Sequence, residues 1–330
     1  MALEFKALIV DKVDNDFSVQ VKSLKIEDLN EGNVIIHVEY SSVNYKDGLA
    51  SIPNGKIVNK YPFIPGIDIA GTVVSSKDPR FKEGDKVIAT SYEIGVSHFG
   101  GFSEYAQLNA DWIVHLPEGL TPKEAMAYGT AGFTAALSIL RLHQNGITPD
   151  RGEILVTGAT GGVGSLAVAI LSKLGYSVVA STGKDKEHEY LKSIGASRII
   201  SREEVTPEKI SALGMQKWAG AVDPVGGKTL SAILSNTKYG GAVAVSGLTG
   251  GTNVPTTVFP FILRGVNLLG IDSVYCPMST RKFLWERMAS DYKPETLLSD
   301  IGKEITLNEL PSTLTNILES KIKGRIIVKL

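Results

Sequence analysis

A glycine-rich turn between a predicted strand and a predicted helix carries the strongest chemical signal of this sequence. The strand covers residues 154–157 and the helix covers 166–174. Ala159, Gly161 and Gly164 take the three places of the G-x-G-x-x-G spacing that binds dinucleotides. Glycines let the backbone approach a pyrophosphate, and a helix start offers unpaired amides and a positive dipole end. The alternative is a tight turn without a ligand. The pattern favours cofactor contacts from Thr160, Gly161, Gly162, Val163 and Gly164.

The end of the next predicted strand, 177–180, should decide which nicotinamide cofactor binds. NAD-dependent enzymes carry Asp or Glu about 20 residues after the turn to hold the ribose hydroxyls. Here no acid stands at that point. Hydroxyls, a backbone turn and a lysine suit a 2′-phosphate, and an arginine that opens the following strand is expected on the same sheet edge. The alternative is that the cations are merely solvated. The sequence predicts NADP (NADPH) held by Ser181, Thr182, Gly183, Lys184 and Arg198.

The elements that must position these residues fall into two groups. The first 120 residues read as short strands separated by turns, at 6–10, 34–40, 66–74, 86–90 and 102–108. Helices follow from Thr121 and over 132–143. From residue 153, strands and helices alternate, with further strands at 198–200, 220–222 and 241–245. This rhythm predicts an α/β protein, a twisted β-barrel-like domain followed by a doubly wound parallel sheet. Helices at 281–288 and 310–319 and a strand at 325–328 end the chain.

Composition excludes several classes of protein. The 330 residues hold 34 basic and 35 acidic side chains, a net charge of -1. Such a balance argues against a nucleic-acid-binding protein. No run approaches the roughly 18 apolar residues of a membrane helix, and no signal peptide is visible, so we expect a cytoplasmic protein. Its one cysteine, Cys276, cannot close an intramolecular disulfide or hold a structural zinc alone.

Several segments outside the glycine-rich turn carry a resemblance to a known family. They are 42–47, 65–71, 84–87 and 100–105, and with the turn they make the chain similar to the medium-chain dehydrogenase/reductase superfamily over essentially its whole length. More narrowly, 44–47, 129–134, 190–198 and 223–227 resemble its bacterial YhdH/YhfP branch of quinone oxidoreductases and acrylyl-CoA reductases. The resemblance implies a GroES-like catalytic domain, 1–123 completed by about 275–330, and a Rossmann dinucleotide-binding domain, 124–274.

The positions of the superfamily's zinc ligands indicate the reaction class. Zinc members carry a cysteine near Asn44 or Tyr45 and a histidine within 66–68, and neither is present here. Without a Lewis acid, an alcohol is hard to ionise for hydride loss. We therefore expect a zinc-independent, NADPH-dependent reductase of an activated C=C bond in an acrylyl-CoA or other enoyl thioester. An NADPH:quinone reductase is the alternative. A non-catalytic NADPH-binding structural or sensing protein is a reading from a different class.

The resemblance also implies roles for single residues. Tyr45 is the first catalytic candidate and is also expected to contact the cofactor, since a phenol near the nicotinamide can stack, hydrogen-bond or relay a proton; the alternative is a half-buried aromatic at a strand end. Asn44 is a candidate to hold the carboxamide or the substrate carbonyl. Asp68 replaces the superfamily's glutamate, and there we expect a structural hydrogen bond. A homodimer is expected through the last sheet strand, 267–271. Further cofactor contacts are expected from Leu248, Ser273 and Arg325.

Overall fold

The computed structural model describes residues 3–13 and 16–330. Its strands are β1 (Glu4–Val13), β2 (Asp16–Lys25), β3 (Val34–Val43), β4 (Asp68–Ser76), β5 (Lys86–Thr90), β6 (Tyr105–Leu108), β7 (Ile113–His115), β8 (Ile154–Val156), β9 (Val178–Ser181), β10 (Arg198–Ile200), β11 (Trp218–Asp223), β12 (Thr237–Val245), β13 (Asn267–Gly270), β14 (Gly302–Thr306) and β15 (Arg325–Lys329).

The α-helices lie between these strands and follow them. They are α1 (Tyr45–Ala50), α2 (Pro122–Gln144), α3 (Gly162–Lys173), α4 (His188–Ser193), α5 (Arg202–Val205), α6 (Gly227–Asn236), α7 (Phe259–Arg264), α8 (Met278–Met288) and α9 (Leu310–Leu318). None of the helices in the described part of the chain is long and apolar enough to cross a membrane.

The first of two compact units contains Met1–Thr130, Val274–Ala289 and Gly302–Leu330. Its main sheet has the order β14-β15-β3-β4-β5-β7, with β6 paired to β3, and every pairing except β14 with β15 is antiparallel. Alternate residues of β3 point into the core, as a two-residue period requires, namely Val34, Ile36 and Val38. The register brings the end of β3 beside the start of β15, since Val43 faces Ile326.

The second unit contains Ala131–Ser273 and Ser290–Ile301. Its six strands are all parallel, in the order β10-β9-β8-β11-β12-β13. The central strands β8, β9 and β11 are buried along their whole length, which explains their continuous apolar sequences. The strand order reverses between β8 and β11. In such sheets, ligands bind at the carboxyl ends of the strands where the order reverses.

The predicted fold class is confirmed, with two differences in detail. The strands β2 and β14 and the helix α6 did not stand out in the sequence. The units divide after Thr130 rather than after residue 123, and residues 290–301 belong to the second unit, although the sequence grouped them with the first. Within the second unit, Nζ of Lys173 lies 4.0 Å from Oε1 of Glu295.

Helix α2 contains a kink where two helices were predicted. Gly129 has φ 51° and ψ -156°, a conformation that costs a residue with a side chain far more than it costs glycine. Space gives a second reason for glycine. A Cβ at this position would lie 2.4 Å from Oδ2 of Asp68 and 2.7 Å from Nη2 of Arg325. The kink therefore lets the backbone of α2 approach a buried cluster of charged groups.

Candidate active site

The glycine-rich turn joins β8 to α3 at the point where the strand order reverses. Helix α3 begins at Gly162 with Gly161 as its N-cap, and Thr160 is buried in the turn. A Cβ at Gly164 would lie 2.3 Å from the carbonyl oxygen of Gly158, so only glycine lets the helix pack this closely on the turn. The first amides of α3 have no acceptor within the helix. Together these features fit the pyrophosphate of a dinucleotide.

The residues after β9 form a short cationic segment. Ser181 and Thr182 are buried, Gly183 is exposed, and the backbone amide of Lys184 donates to Oγ1 of Thr182 at 3.1 Å. The backbone amide of Thr182 donates to the carbonyl oxygen of Ile200, at the carboxyl end of β10. A backbone hydrogen bond therefore joins the residue after β9 to the last residue of β10.

Arg202 lies over this segment, although sequence reasoning did not single it out. A Cβ added to Gly183 would lie 2.8 Å from its Nε. Within the described chain, the exposed guanidinium makes no hydrogen bond. Burial lowers the pKa of Lys184, and the nearby charge of Arg202 lowers it further, against an opposing effect of Glu187. Two cationic side chains at this strand end suit a bound dianion.

The structure corrects the expectation for Arg198. This residue opens β10, so it lies at the amino end of a parallel strand, whereas dinucleotides bind at the carboxyl ends. Its Nη2 pairs with Oε2 of Glu153 at 2.7 Å, and its guanidinium lies 5.7 Å from the centroid of the Trp218 ring. Arg202, by contrast, lies just beyond the carboxyl end of β10.

The loops that follow β12 and β13 contain two further predicted contacts. Leu248 is 65% exposed after β12, and Oγ of Ser273 accepts a hydrogen bond from Thr134 at 2.9 Å. Between β12 and Leu248, Oγ of Ser246 is buried and has no partner among the described residues. A buried hydroxyl without a partner is costly, so this orphan also fits a polar ligand.

Asp223 is the last residue of β11, one of the two strands between which the strand order reverses. Its carboxylate, fully buried, accepts hydrogen bonds from the Thr157 hydroxyl and from the backbone amides of Val225 and Gly226 at 3.0 Å. Burial raises the pKa of Asp223, and the bond from Thr157 opposes that rise. The carboxylate thereby joins the turn after β8 to the loop after β11.

In the first unit, the sequence-predicted pair Asn44 and Tyr45 stands where β3 leads into α1. Tyr45 is the first residue of α1 and is 47% exposed. Asn44, by contrast, is 8% exposed, and both ends of its amide are used within the unit. Its Nδ2 donates to Oδ2 of Asp68 at 2.7 Å, and its Oδ1 accepts from Nη1 of Arg325 at 3.2 Å. This differs from the ligand contact expected of Asn44, because no part of the amide is left for one.

Asp68 and Arg325 form the centre of a buried polar cluster. Asp68 accepts from Ser42 Oγ at 2.6 Å and from the backbone and hydroxyl of Thr130 at 3.0 and 2.6 Å. Arg325 donates to the carbonyl oxygens of Val43 and Ala127 at 3.0 and 3.3 Å.

The Nη2 atom of Arg325 lies 2.7 Å from Ser42 Oγ and 3.6 Å from Oδ2 of Asp68. Arg325 is 3% exposed, so the structure commits it to the protein, whereas a cofactor contact was expected. The structural hydrogen bond predicted for Asp68 is present.

A second carboxylate, Asp47, lies beside this cluster and is also fully buried. Its oxygens accept from the backbone amides of Asn44 at 2.7 Å and Ile67 at 3.0 Å. Burial, with a further contribution from the charge of Asp68, raises the pKa of Asp47 to about 7, and its hydrogen bonds oppose the rise. We refer to Asn44, Asp47, Asp68, Thr130 and Arg325 below as the hub.

Comparison with known proteins identifies the family. Residues 30–118 match the family described as Alcohol dehydrogenase GroES-like domain, and residues 162–290 match Zinc-binding dehydrogenase. YhfP of Bacillus subtilis, provisionally named a quinone oxidoreductase, is 61% identical over the full length of both chains. The chain belongs to the medium-chain dehydrogenase/reductase family. It is an oxidoreductase of that family, with a GroES-like unit and a Rossmann unit.

Two further relatives bear on its chemistry. The acrylyl-CoA reductase AcuI of Ruegeria pomeroyi is 50% identical and aligns over 98% of each chain. The yhdH oxidoreductase of Salmonella enterica, solved with NADP, has 47% identity and a TM-score of 0.96 over 98% of this chain and 99% of that one. The YhfP crystal structure, with a TM-score of 0.98 over the whole of both chains, has NAD bound. The relatives therefore differ in the cofactor they were solved with.

The second matching description names zinc, but the described residues contain no cluster of metal ligands. Among them, no group of three or more His, Cys, Asp or Glu side chains is arranged to hold a metal ion. Asp68, at the position of the superfamily's glutamate, already accepts several hydrogen bonds within the hub.

Sequence reasoning missed the residues that depend on long-range contacts. Arg202 could have been found from the rule for parallel strands, because Ser201 and Arg202 follow the carboxyl end of β10. The participation of Thr130 and Asp47 in the hub had no such signal. Thr130 binds Asp68 at the start of β4, and Asp47 binds the backbone amides of Asn44 and of Ile67, which precedes β4.

Proposed function

We propose that this protein is a zinc-independent, NADPH-dependent reductase of a conjugated C=C bond, with an acrylyl-CoA-type enoyl thioester as its substrate. The observation that carries the proposal is the end of β9, where residues 181–184 contain no Asp or Glu and the guanidinium of Arg202 lies beside Gly183. The substrate class is supported by the 50% identity to an acrylyl-CoA reductase along nearly the whole chain.

The choice of NADPH rests on the pair Lys184 and Arg202. An NAD-binding site usually has a carboxylate at this strand end to accept from the ribose hydroxyls, and such a carboxylate would repel a 2′-phosphate. Ser181 and Thr182 stand in its place, with the guanidinium of Arg202 beside Gly183. A guanidinium binds phosphate oxygens in a fixed fork, and Lys184 adds a second charge.

The reaction needs a proton as well as a hydride. When bound, NADPH supplies the hydride that adds to the β-carbon of the conjugated thioester. The negative charge that develops on the carbonyl oxygen must be stabilised, and the α-carbon must receive a proton. We assign to Tyr45 the donation of a hydrogen bond or proton to the reacting substrate. Its side chain is exposed at the start of α1, and its phenol is a hydrogen-bond donor. The buried Asn44 amide has no free group for it.

Reduction of a quinone is the second candidate, because YhfP carries that provisional name. Both reactions deliver a hydride to a conjugated carbonyl system. They differ in what the protein must hold, since a thioester of coenzyme A is long and anionic and a simple quinone is flat and neutral. Direct assay distinguishes them.

We also propose that the protein is a homodimer. Strand β13 is the last strand of its sheet and has one neighbour, β12, while Leu268 on it is 41% exposed. The adjacent helix α7 exposes Ile262 and Leu263 by 67% and 55%. An open strand edge beside exposed aliphatic side chains suits a second copy of the same surface. Sedimentation velocity should give about twice the chain mass of 35.3 kDa. A monomer at micromolar concentration would contradict this proposal.

The function is tested by NADPH oxidation, followed by absorbance, on enzyme freed of metal with a chelator. Acrylyl-CoA and a simple benzoquinone are supplied in separate reactions. Fast turnover of the thioester with slow or absent turnover of the quinone supports the proposal. Turnover of the quinone alone would establish the second candidate. Binding of NADPH without turnover of either substrate, or activity that returns only with zinc, would contradict the proposal.

A further inference from the structure

The hub brings three titratable side chains into the interior of the first unit. The carboxyl groups of Asp47 and Asp68 are fully buried, and the buried guanidinium of Arg325 lies 3.6 Å from Oδ2 of Asp68. Each buried charge has a large desolvation cost that must be offset by hydrogen bonds of good geometry. Here these bonds converge on one short segment, because Asp47 and Asp68 bind the backbone and the side chain of Asn44 respectively. The residue that follows this segment is Tyr45.

We infer that Asp68 and Arg325 are positioning residues, which act through the amide of Asn44 to fix the start of helix α1 and the backbone position of Tyr45. This inference rests on the proposed function, in which Tyr45 serves the reaction. It also replaces the ligand-binding roles that the sequence suggested for Asn44 and Arg325.

Both ends of the Asn44 amide are defined by opposite charges. A carboxylate can only accept hydrogen bonds and a guanidinium can only donate them, so the two groups together bind the Asn44 amide in one orientation. Asp68 accepts from Nδ2 at 2.7 Å, while Arg325 donates to Oδ1 at 3.2 Å. A flipped amide would bring two acceptors together at one end and two donors at the other. Asn44 therefore has one orientation, and α1 has one starting geometry.

The backbone at Asn44 is held by hydrogen bonds other than those of its side chain. The amide of Asn44 donates to Oδ2 of Asp47, and Asn44's own carbonyl oxygen accepts from the amides of Asp47 and Gly48 at 3.0 and 3.3 Å. Asp47 also accepts from Ile67, next to Asp68 in the chain. With side chain and backbone both fixed, Tyr45 has little freedom except rotation of its own side chain.

The distribution of exposure supports a positioning role rather than ligand binding. The hub's charged groups are buried, from Asp47 and Asp68 at 0% to Arg325 at 3%, whereas Tyr45 is 47% exposed. Four polar atoms of the protein accept from Arg325, and they use its Nε and both terminal nitrogens. A ligand phosphate would have to displace these partners.

The test compares Arg325→Lys with Tyr128→Phe. Lysine keeps the charge but cannot reproduce the guanidinium fork that reaches Asn44, Val43 and Ser42 together. Tyr128→Phe removes another buried hydrogen bond from the same unit, 3.0 Å to the carbonyl oxygen of Met288, outside the hub. We expect Arg325→Lys to lower kcat by roughly tenfold to a hundredfold, as for a misplaced reacting group. The Kd for NADPH should stay within about twofold of the wild-type value, and Tyr128→Phe should change neither quantity.

A double-mutant cycle tests whether Arg325 acts through Asn44. Asn44→Ala alone should lower kcat to a similar extent, and adding Arg325→Lys should then have little further effect. Independent effects that multiply would contradict the inference. A rise of NADPH Kd with unchanged kcat in Arg325→Lys would also overturn it and return Arg325 to the cofactor.

Amide hydrogen exchange in the cofactor-free protein gives a readout that needs no activity. In Arg325→Lys, the amides of Asn44, Asp47 and Gly48 should exchange at least about tenfold faster than in the wild type, and those of α9 should not. If exchange speeds up but the wild type reduces no conjugated substrate, the proposed function fails and the positioning stands. Unchanged exchange in folded Arg325→Lys protein would overturn the positioning itself. Should that variant fail to fold, Asn44→Ala is measured in its place.

Discussion

The hub of the first unit and the strand end at Gly183 in the second are both rich in charge, but they use it in opposite ways. In the hub, carboxylates and guanidinium are buried and bonded to each other and to backbone groups. At the strand end, the Arg202 guanidinium is exposed and has no hydrogen bond within the described chain. Charged groups that are hydrogen-bonded within the protein fix a structure, whereas an exposed guanidinium without such bonds remains available to a ligand. Residue type alone does not distinguish the two roles.

The largest expected effect is on Tyr45, which links the hub to the chemistry. Tyr45→Phe keeps the ring and removes the hydroxyl, so kcat should fall by roughly 10²–10⁴-fold with little change in NADPH affinity. The matched control is Tyr239→Phe, since Tyr239 is 72% exposed in the second unit. Stopped-flow traces of NADPH oxidation measure both variants. An unchanged kcat would remove Tyr45 from the reaction.

The next largest expected effect is on the KM for NADPH, and it should distinguish Arg202 from Arg198. Arg202→Ala should raise the KM for NADPH by roughly tenfold to a hundredfold, because hydrogen bonds to charged groups are worth about 1.5–3 kcal/mol. The KM for NADH, which lacks the phosphate, should change little. Arg198→Ala is the control, and its loss of a surface pair with Glu153 should leave both values unaltered. Equal effects of Arg202→Ala on the two cofactors would contradict the assignment.

A comparison of Gly164→Ala with Gly270→Ala tests whether the turn after β8 contributes to NADPH binding. Gly164→Ala places a Cβ 2.3 Å from the carbonyl oxygen of Gly158 and should weaken NADPH binding by about tenfold while destabilising the fold by about 1–3 kcal/mol. In the same unit, a Cβ at Gly270 meets no atom within 4 Å, so Gly270→Ala should leave affinity unchanged. Fluorescence titration with NADPH and urea unfolding measure the two quantities. Equal affinities would contradict the role of the turn.

The last expected effect is on stability rather than on catalysis, and it is a pH dependence of the free energy of unfolding that comes from Asp47. Its pKa is about 7 in the folded protein against an ordinary value of 3.8, so between these pH values the folded state holds a proton that the unfolded state has lost. This group therefore makes the free energy of unfolding fall as pH rises through that window, and the decrease ends above pH 7.

Asp47→Asn should remove this contribution. The stability of the wild type relative to the variant should then decline from pH 4 to 7 in urea unfolding measured across the range. A constant difference between the two proteins would show that Asp47 is ionised in the folded state throughout.

The sequence could predict what is encoded locally. The turn from Ala159 to Gly164 and the acid-free end of β9 each depend on a few consecutive residues, and their backbone geometry follows from residue type. The parallel sheet was predictable for the same reason, because its strands and helices alternate in the chain.

The hub could not be predicted in this way. Asn44, Asp68, Thr130 and Arg325 meet only because β3, β4, β15 and the kink of α2 come together. An isolated Asp or Arg gives no sign of whether it will be buried among partners. The error at Arg198 has another cause, since the strand was identified correctly but its amino end was taken for the edge that binds the cofactor.

The most direct test of the proposed reaction follows the two hydrogen atoms that the substrate gains. Acrylyl-CoA is reduced with NADPH deuterated at each C4 position in turn, and separately with unlabelled NADPH in D₂O, and the saturated thioester is analysed by mass spectrometry and NMR. We expect one cofactor-derived deuterium on the β-carbon from one of the two labelled cofactors, and one solvent-derived deuterium on the α-carbon. Cofactor deuterium on the α-carbon, or no label from either cofactor in the product, would contradict it.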